Sequence, residues 1–288
     1  MAFPSRFNYH RPETLAETLK LMDEFESRAK VLAGGTDLIA GVRAEKFSLP
    51  ENIIDISHLE ELNFVKDEKD TISIGATTKL SEILCSPIVK RKAPILCEAI
   101  SDMASPQIRN MGTIGGNLCN ASPAADTAPP LLVLDAKAEV KSARQDKAVP
   151  IDEFFLGVGK TVVNPNEILT GIQIPTQPEG FKWSYIKLGR RKAYTLSILS
   201  VAVSARISGN AFEDARIALG AVAPTPLRIT KAETFLKGET ANKDVIDKAA
   251  QIVRHEVKPI SDVRASAEYR REMSCTLTKK MLLNLANP

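Results

Sequence analysis

The first apolar residues of the chain recur with the spacing of a helix. Leu15, Leu19, Met22 and Phe25 lie at positions i, i+4, i+7 and i+10, so they share one helical face. Pro12 precedes them, and proline is common near a helix start. The pattern predicts an amphipathic helix at the beginning of the chain.

Short apolar runs bounded by turn residues come next, and such runs are typical of strands. AKVLAGG (29–35) and ENIIDI (51–56) flank a segment that begins at Gly34-Gly35, which predicts a small βαβ-like unit with the glycines at the end of a strand. DTISIGA (70–76) predicts a further strand. Residues 96–103 predict a helix that ends before Ser105-Pro106, because the residue before a proline is disfavoured in the helical conformation.

The rest of the chain continues the strand pattern and closes with helices. AKAEVKSA (136–143), VPIDEFF (149–155) and EILTGIQIP (167–175) predict strands, and the last runs into PTQPEG (175–180), a linker candidate. Residues 181–188, 197–207 and 212–222 predict three more strands, and three helical patterns follow between Arg228 and Leu285. These strands and helices together predict a small sheet with helices on one side. We therefore predict an α+β fold in two parts, residues 1–175 and 176–288.

Length and composition fit a globular protein with two domains. The chain has 288 residues, of which 44% are hydrophobic and 25% charged, an ordinary balance for such a protein. The sequence contains no run of about 18 uncharged apolar residues, the length that a membrane span needs. Arg6, His10 and Arg11 interrupt the first residues, which therefore lack the apolar core of a secretory signal. We expect no membrane span and a cytoplasmic location.

Charge argues against a nucleic-acid-binding protein, and cysteine content argues against a disulfide-rich or metal-binding protein. The net charge is only +3, and the basic clusters at 90–92 and 190–192 contain no aromatic residues able to stack on bases. Nucleic-acid binding is therefore not expected. Four cysteines, at positions 85, 97, 119 and 275, lack the paired spacing of a disulfide framework or a metal site, so we expect no metal.

Two glycine pairs have similar neighbours. AGGTD (33–37) and TIGGN (113–117) each place Gly-Gly between hydroxyl, amide or carboxylate side chains. Glycine tolerates positive φ and leaves its backbone N–H groups unshielded, and such groups bind anions. A diphosphate fits this description, although each pair is also compatible with a tight turn between strands.

Other candidate motifs give weaker evidence of a catalytic or binding site. The Rossmann pattern G-x-G-x-x-G follows no strand, and GVGKT (157–161) lacks the first glycine of a P-loop, because Phe154 stands there. His10, His58 and His255 are too far apart in sequence to suggest a triad or a metal site. Asp126 is compatible with a bond to a sugar hydroxyl and with a cap on a helix that begins at Thr127.

Three stretches together resemble one family: LAGGTDL (32–38), SPQIRNMGTIGGNLCNASPAADTAPPLL (105–132) and GAVAPTPLR (220–228). The chain is similar over its length to the FAD-binding medium subunits of the molybdenum hydroxylases, such as xanthine dehydrogenases and carbon monoxide dehydrogenases. The resemblance implies a PCMH-type FAD-binding domain of two α/β subdomains, ending near Pro175, and a smaller C-terminal α/β domain.

The resemblance also implies which residues contact FAD. The first glycine motif and its neighbours would contribute Lys30, Val31, Leu32, Ala33, Gly34, Gly35, Thr36, Asp37 and Leu38, and the second would contribute Thr113, Ile114, Gly115, Gly116, Asn117, Asn120 and Asp126. Leu169 and Lys187 match contacts near the flavin ring, and Tyr194 and Met103 match positions where some members place an aromatic residue. Gln107 and Arg109 match the motif without a clear role. No histidine lies in either motif, so non-covalent binding is implied, and no catalytic residue is assigned.

The function implied by the resemblance is electron transfer inside a larger enzyme. Molybdopterin would be held by a large subunit and [2Fe-2S] clusters by a small one, with the complex a dimer of heterotrimers. The FAD of this chain would pass the electrons to an acceptor such as NAD, a quinone, ferredoxin or oxygen. GAVAPTPLR and the stretch from GVGKT to NEIL (157–169) resemble the purine-oxidising branch more than the carbon monoxide branch. Two alternatives are a free-standing PCMH-type flavoenzyme with its own substrate site and an assembly subunit that has lost FAD.

Overall fold

The computed structural model of the chain describes residues 7–45, 48, 50–191 and 194–286. Arg6 and the last residue of the basic cluster at 190–192 lie outside these residues. In chain order, the helices are α1 Leu15–Phe25, α2 Leu38–Arg43, α3 Leu80–Cys85, α4 Pro87–Lys92, α5 Pro94–Ser101, α6 Pro106–Arg109, α7 Ile114–Cys119, α8 Ala128–Val133, α9 Ile151–Phe154, α10 Thr230–Leu236, α11 Lys243–Glu256 and α12 Ala267–Ala286.

The strands fall into three main sheets and one small hairpin. They are β1 Asn8–His10, β2 Ala29–Leu32, β3 Asn52–Asp55, β4 Val65–Glu68, β5 Thr71–Gly75, β6 Lys137–Lys141, β7 Asp146–Pro150, β8 Phe155–Gly157, β9 Lys160–Thr161, β10 Ile168–Pro175, β11 Phe181–Leu188, β12 Leu199–Ser208, β13 Ala211–Gly220 and β14 Leu227–Arg228. Within the described ranges, no helix is both long and apolar enough to cross a bilayer.

The N-terminal unit is a parallel three-stranded sheet in the order β1-β3-β2. The predicted first helix is confirmed as α1, which begins after Thr14, whose hydroxyl accepts a hydrogen bond from the backbone N–H of Glu17 at 3.1 Å. The predicted βαβ-like unit is confirmed as β2, α2 and β3. Because β2 ends at Leu32 and α2 begins at Leu38, the first glycine motif forms the turn between them.

The middle unit is built on a five-stranded antiparallel sheet in the order β4-β5-β10-β6-β7. The predicted helix at 96–103 is confirmed as α5, although it begins two residues earlier, at Pro94, and ends at Ser101. The prediction of a strand at 149–155 is wrong in its centre, which forms α9. Ile151 and Phe154, three residues apart and both buried, face the core on one helical turn.

The C-terminal unit is an antiparallel sheet in the order β11-β12-β13-β14 with the three predicted helices. α10 and α12 cover one face. The prediction that helices lie on one side only is wrong, because the opposite face packs on α5 and α8 of the middle unit. Strand β12 alternates Leu199, Val201 and Val203 with Ser200, Ala202 and Ser204, and all six are buried. Small residues on the second face allow α8 to approach closely.

Two arginines join this sheet to the end of α8. Arg216 donates to the carbonyl oxygen of Val133 at 3.2 Å and Arg228 to that of Leu132 at 3.0 Å, and both form ion pairs with Asp135. Cations at a helix C-terminus satisfy its last carbonyl groups and interact favourably with its dipole. The C-terminal sheet is therefore fixed against the unit that carries the second glycine motif.

Candidate functional site

A cleft with a volume of about 1060 Å³ is lined by residues of all three units. Every predicted contact residue except Ile114 lines it, including the first glycine motif, most of the second, Leu169, Lys187 and Tyr194. Residues from distant parts of the sequence thus meet at one site. The lining also contains apolar side chains such as Met22, Ile56 and Ile168, so the cleft offers both polar and apolar walls.

Ile114 faces the other way. Its side chain is fully buried in the core of the middle unit, and its backbone N–H donates to the carbonyl oxygen of Thr78 at 3.1 Å. Both groups are thus already occupied within the protein. Ile114 therefore does not line the cleft, although its neighbours on both sides do, and its contact with FAD stays a prediction.

The first glycine motif forms an open turn. Gly35 has a φ of +69°, as predicted for this pair. The backbone N–H groups of Gly34, Gly35 and Thr36 donate no hydrogen bond to any part of the chain that the structure describes. Three unused donors in consecutive positions suit an anion. Gly34 is needed for another reason, since a Cβ there would lie 2.1 Å from the carbonyl oxygen of Met111.

The second glycine motif differs from the first. Thr113 is the N-cap of α7, and its hydroxyl accepts from the N–H of Gly116 at 3.0 Å. The N–H of Gly115 donates to Ala76 and that of Asn117 to Thr113, both at 3.0 Å. Neither glycine has a positive φ. The prediction that this pair exposes amides through positive φ is therefore wrong, because the helix and its cap already use them.

The glycines of the second motif serve close approach instead. A Cβ on Gly115 would lie 2.7 Å from Ala76, so this glycine lets α7 pack against the sheet. A Cβ on Gly116 would meet only the Thr113 hydroxyl, at 3.0 Å, and nothing else within 4 Å. Since Gly116 is exposed and lines the cleft, a molecule bound in the cleft can occupy the space beside it.

Asp126 is held in a buried network at the wall of the cleft. Its Oδ2 atom accepts from the Lys187 ammonium at 2.7 Å, and its Oδ1 atom accepts from the Ser197 hydroxyl at 2.5 Å and the Tyr185 phenol at 3.2 Å. The side chains of Asp126 and Lys187 are only 7% and 5% exposed. Within the described residues the Asp126 carboxylate accepts no helix-capping bond, so it is not the cap of α8. Sequence reasoning missed Tyr185 and Ser197.

The outer rim of the cleft contains Tyr194 and Met103. Tyr194 is 58% exposed with a φ of +53°, and its carbonyl oxygen accepts from Arg191 at 2.6 Å. Arg109, which had no predicted role, donates to the carbonyl oxygen of Met103 at 2.7 Å. It therefore fixes the segment after α5 that forms this part of the rim.

Cys119, also without a predicted role, opens into the cleft. The residue is exposed and lines the cleft, and desolvation by the surrounding protein raises the pKa of the thiol. No group of three or more His, Cys, Asp or Glu in the described ranges is arranged to hold a metal ion. The unused N–H groups of the first glycine motif and the volume of the cleft suit an extended molecule with an anionic part.

Comparison with known proteins agrees with this geometry. Residues 5–177 match the family model of the FAD binding domain in molybdopterin dehydrogenase, and residues 184–285 match that of the CO dehydrogenase flavoprotein C-terminal domain. The glyceraldehyde dehydrogenase medium chain of Sulfolobus acidocaldarius is 38% identical, over 99% of this chain and all of that protein. A xanthine dehydrogenase FAD-binding subunit of Escherichia coli is 36% identical, over 96% of this chain and 94% of its own.

The fold agrees as well. A carbon monoxide dehydrogenase structure from Hydrogenophaga pseudoflava superposes with a TM-score of 0.94 and 35% identity, covering 99% of this chain and 98% of the other. The α+β fold with an FAD-binding domain and a C-terminal domain is thereby confirmed. The chain belongs to the family of FAD-binding medium subunits of the molybdenum hydroxylases.

Proposed function

We propose that this chain receives electrons from the [2Fe-2S] clusters of a small partner subunit and passes them to an external acceptor. FAD, when bound, accepts electrons singly and releases them as a pair. The observation that carries the proposal is the cleft itself, which gathers the first glycine motif, α7 and Lys187 at one site. The acceptor class that we propose is NAD or a quinone.

The residues of the cleft fit FAD. The unused N–H groups of Gly34, Gly35 and Thr36 would bind the diphosphate, and the absent side chain of Gly116 would leave room for it. Leu169 and Met103 contribute apolar wall, and Lys187 contributes a positive charge. Histidine is missing from the lining in the described part of the chain, which supports non-covalent binding.

We extend the proposal to the assembly. Relatives named medium chain support a complex with a large molybdopterin subunit and a small iron–sulfur subunit, and we propose a dimer of such heterotrimers. The substrate would then be oxidised in the large subunit, and we infer a purine or another N-heterocycle from the motifs at 157–169 and 220–228. The division of the chain near Pro175 and a cytoplasmic location stay predictions within this proposal.

The experiment is to purify the chain, reconstitute it with FAD and record its visible spectrum, then add substrates with and without the two partner subunits. We expect the flavin absorption bands to remain after gel filtration, and we expect organic substrates to bleach them only when both partners are present. Absence of flavin after reconstitution would overturn the proposal. Bleaching by a substrate in the chain alone would establish the free-standing flavoenzyme instead.

Cys119 provides a second test of where FAD binds. Because desolvation raises the pKa of its thiol, labelling by iodoacetamide should be slow at pH 8 and should accelerate as the pH rises. We expect bound FAD to slow it further, since Cys119 lines the cleft. Mass spectrometry of the labelled peptides gives the rate at each cysteine.

Cys85 serves as the internal control for this labelling. It is exposed and does not line the cleft, so its rate should be the same with and without FAD. Equal labelling of Cys119 in the free and FAD-loaded protein would show that FAD occupies another place.

A further inference from the structure

Two hydroxyl groups outside every sequence motif hold the Asp126 carboxylate. Ser197 is fully buried, and both Ser197 and Tyr185 donate to the same oxygen of Asp126. Burial, followed by the nearby charge of Asp126, raises the pKa of Tyr185 well above its ordinary value, so the phenol keeps its proton and remains a donor. A buried carboxylate needs such partners for its remaining lone pairs.

The network does not use one of the N–H donors of the Lys187 ammonium. An ammonium group has three N–H donors, of which one goes to Asp126 Oδ2 and one to the carbonyl oxygen of Asp102 at 3.0 Å. The third has no acceptor among the residues that the structure describes, and Lys187 lines the cleft. The position of Asp126 therefore sets where this unused N–H is presented.

Ser197 is itself held by the C-terminal part of the chain. Its carbonyl oxygen accepts from Arg264 at 3.3 Å, and Arg264 forms an ion pair with Asp262 at 2.6 Å. The next carbonyl, of Ile198, accepts from the buried Arg270 of α12 at 2.8 Å. These two arginines thus fix the backbone at the start of β12, which gives the Ser197 hydroxyl a defined position beside Asp126.

We propose that Tyr185 and Ser197 are positioning residues of the FAD site. They hold the Asp126 carboxylate and partly compensate its charge, so that the positive charge of the Lys187 ammonium acts on the molecule in the cleft. The inference rests on the proposed function, since it takes FAD as the molecule in the cleft. Without the two hydroxyls, the negative charge of Asp126 acts more strongly on the cleft. Reduction adds negative charge to a flavin, so its reduced form becomes less stable and its midpoint potential falls.

The test compares the midpoint potential of bound FAD in the wild type, Y185F, S197A and the double variant. We expect the double variant to bind FAD and to shift the equilibrium toward the oxidised form by about tenfold, which for a two-electron couple is about 30 mV. Each single variant should shift it less, in the same direction. The single variants decide the matter if the double variant does not fold.

Tyr9→Phe is the matched control. Tyr9 donates to the Asp55 carboxylate at 2.5 Å, so the substitution removes the same kind of bond, but neither residue lines the cleft. We expect its potential to equal that of the wild type. Variants that bind FAD at the wild-type potential would overturn the inference, as would an equal shift in Y9F. A wild-type chain that binds no FAD would overturn the proposed function first and this inference with it.

Discussion

Gly116→Val is expected to weaken FAD binding strongly without unfolding the protein. A Cβ at this position would meet only the Thr113 hydroxyl, at 3.0 Å, which would have to shift by a few tenths of an ångström, and valine is a better helix former than glycine. The branched side chain would, however, fill the part of the cleft where the diphosphate is proposed to lie. Overlap of this kind costs about 3 kcal/mol, which corresponds to a Kd weakened by roughly a hundredfold. Titration of the apoprotein with FAD, followed by flavin fluorescence, measures it.

Gly157→Val is the control for this variant. Gly157 belongs to β8 and does not line the cleft, and a Cβ added there would have no neighbour within 4 Å. This variant should bind FAD like the wild type. Retention of wild-type FAD affinity by the Gly116→Val protein, with an unchanged far-ultraviolet spectrum, would mean that α7 does not border the diphosphate.

The two glycine motifs show how far sequence reasoning reaches. It correctly predicted that 33–37 and 113–117 meet, because both share a composition suited to close backbone approach. It assigned one mechanism to both, although Thr113 stands directly before Ile114 and hydroxyl residues favour the N-cap position. A cap at Thr113 implies that the N–H of Gly116 is consumed within the helix. The difference between the motifs is therefore local and is contained in the sequence.

Other features depend on packing that the sequence does not contain. The alternation along β12 predicts a strand, but only contact with α8 explains why its second face has serine and alanine. Tyr185 lies two residues before Lys187 and thus on the same face of β11, a signal that could have been used. Ser197 lies 71 residues from Asp126, and nothing in its neighbours indicates that the two side chains meet.

Lys187→Met is expected to lower the stability of the protein even without FAD. The substitution keeps most of the apolar stem but leaves the buried Asp126 carboxylate with two hydroxyl donors and no cation. Breaking a buried ion pair by removing one partner costs about 3–5 kcal/mol, because the remaining charge is uncompensated. Urea unfolding of the apoprotein, followed by circular dichroism, gives this difference in the free energy of unfolding.

Two further variants identify the cause. Asp126→Asn combined with Lys187→Met removes both charges and should recover most of the loss, since a neutral amide is cheaper to bury than a carboxylate. Lys243→Met breaks an exposed pair with Asp247, whose members are 70% and 34% exposed, and should cost at most about 0.5 kcal/mol. If Lys187→Met costs no more than Lys243→Met, the charge of Asp126 must be compensated by water entering the cleft, and Lys187 would then be free to serve only the cofactor.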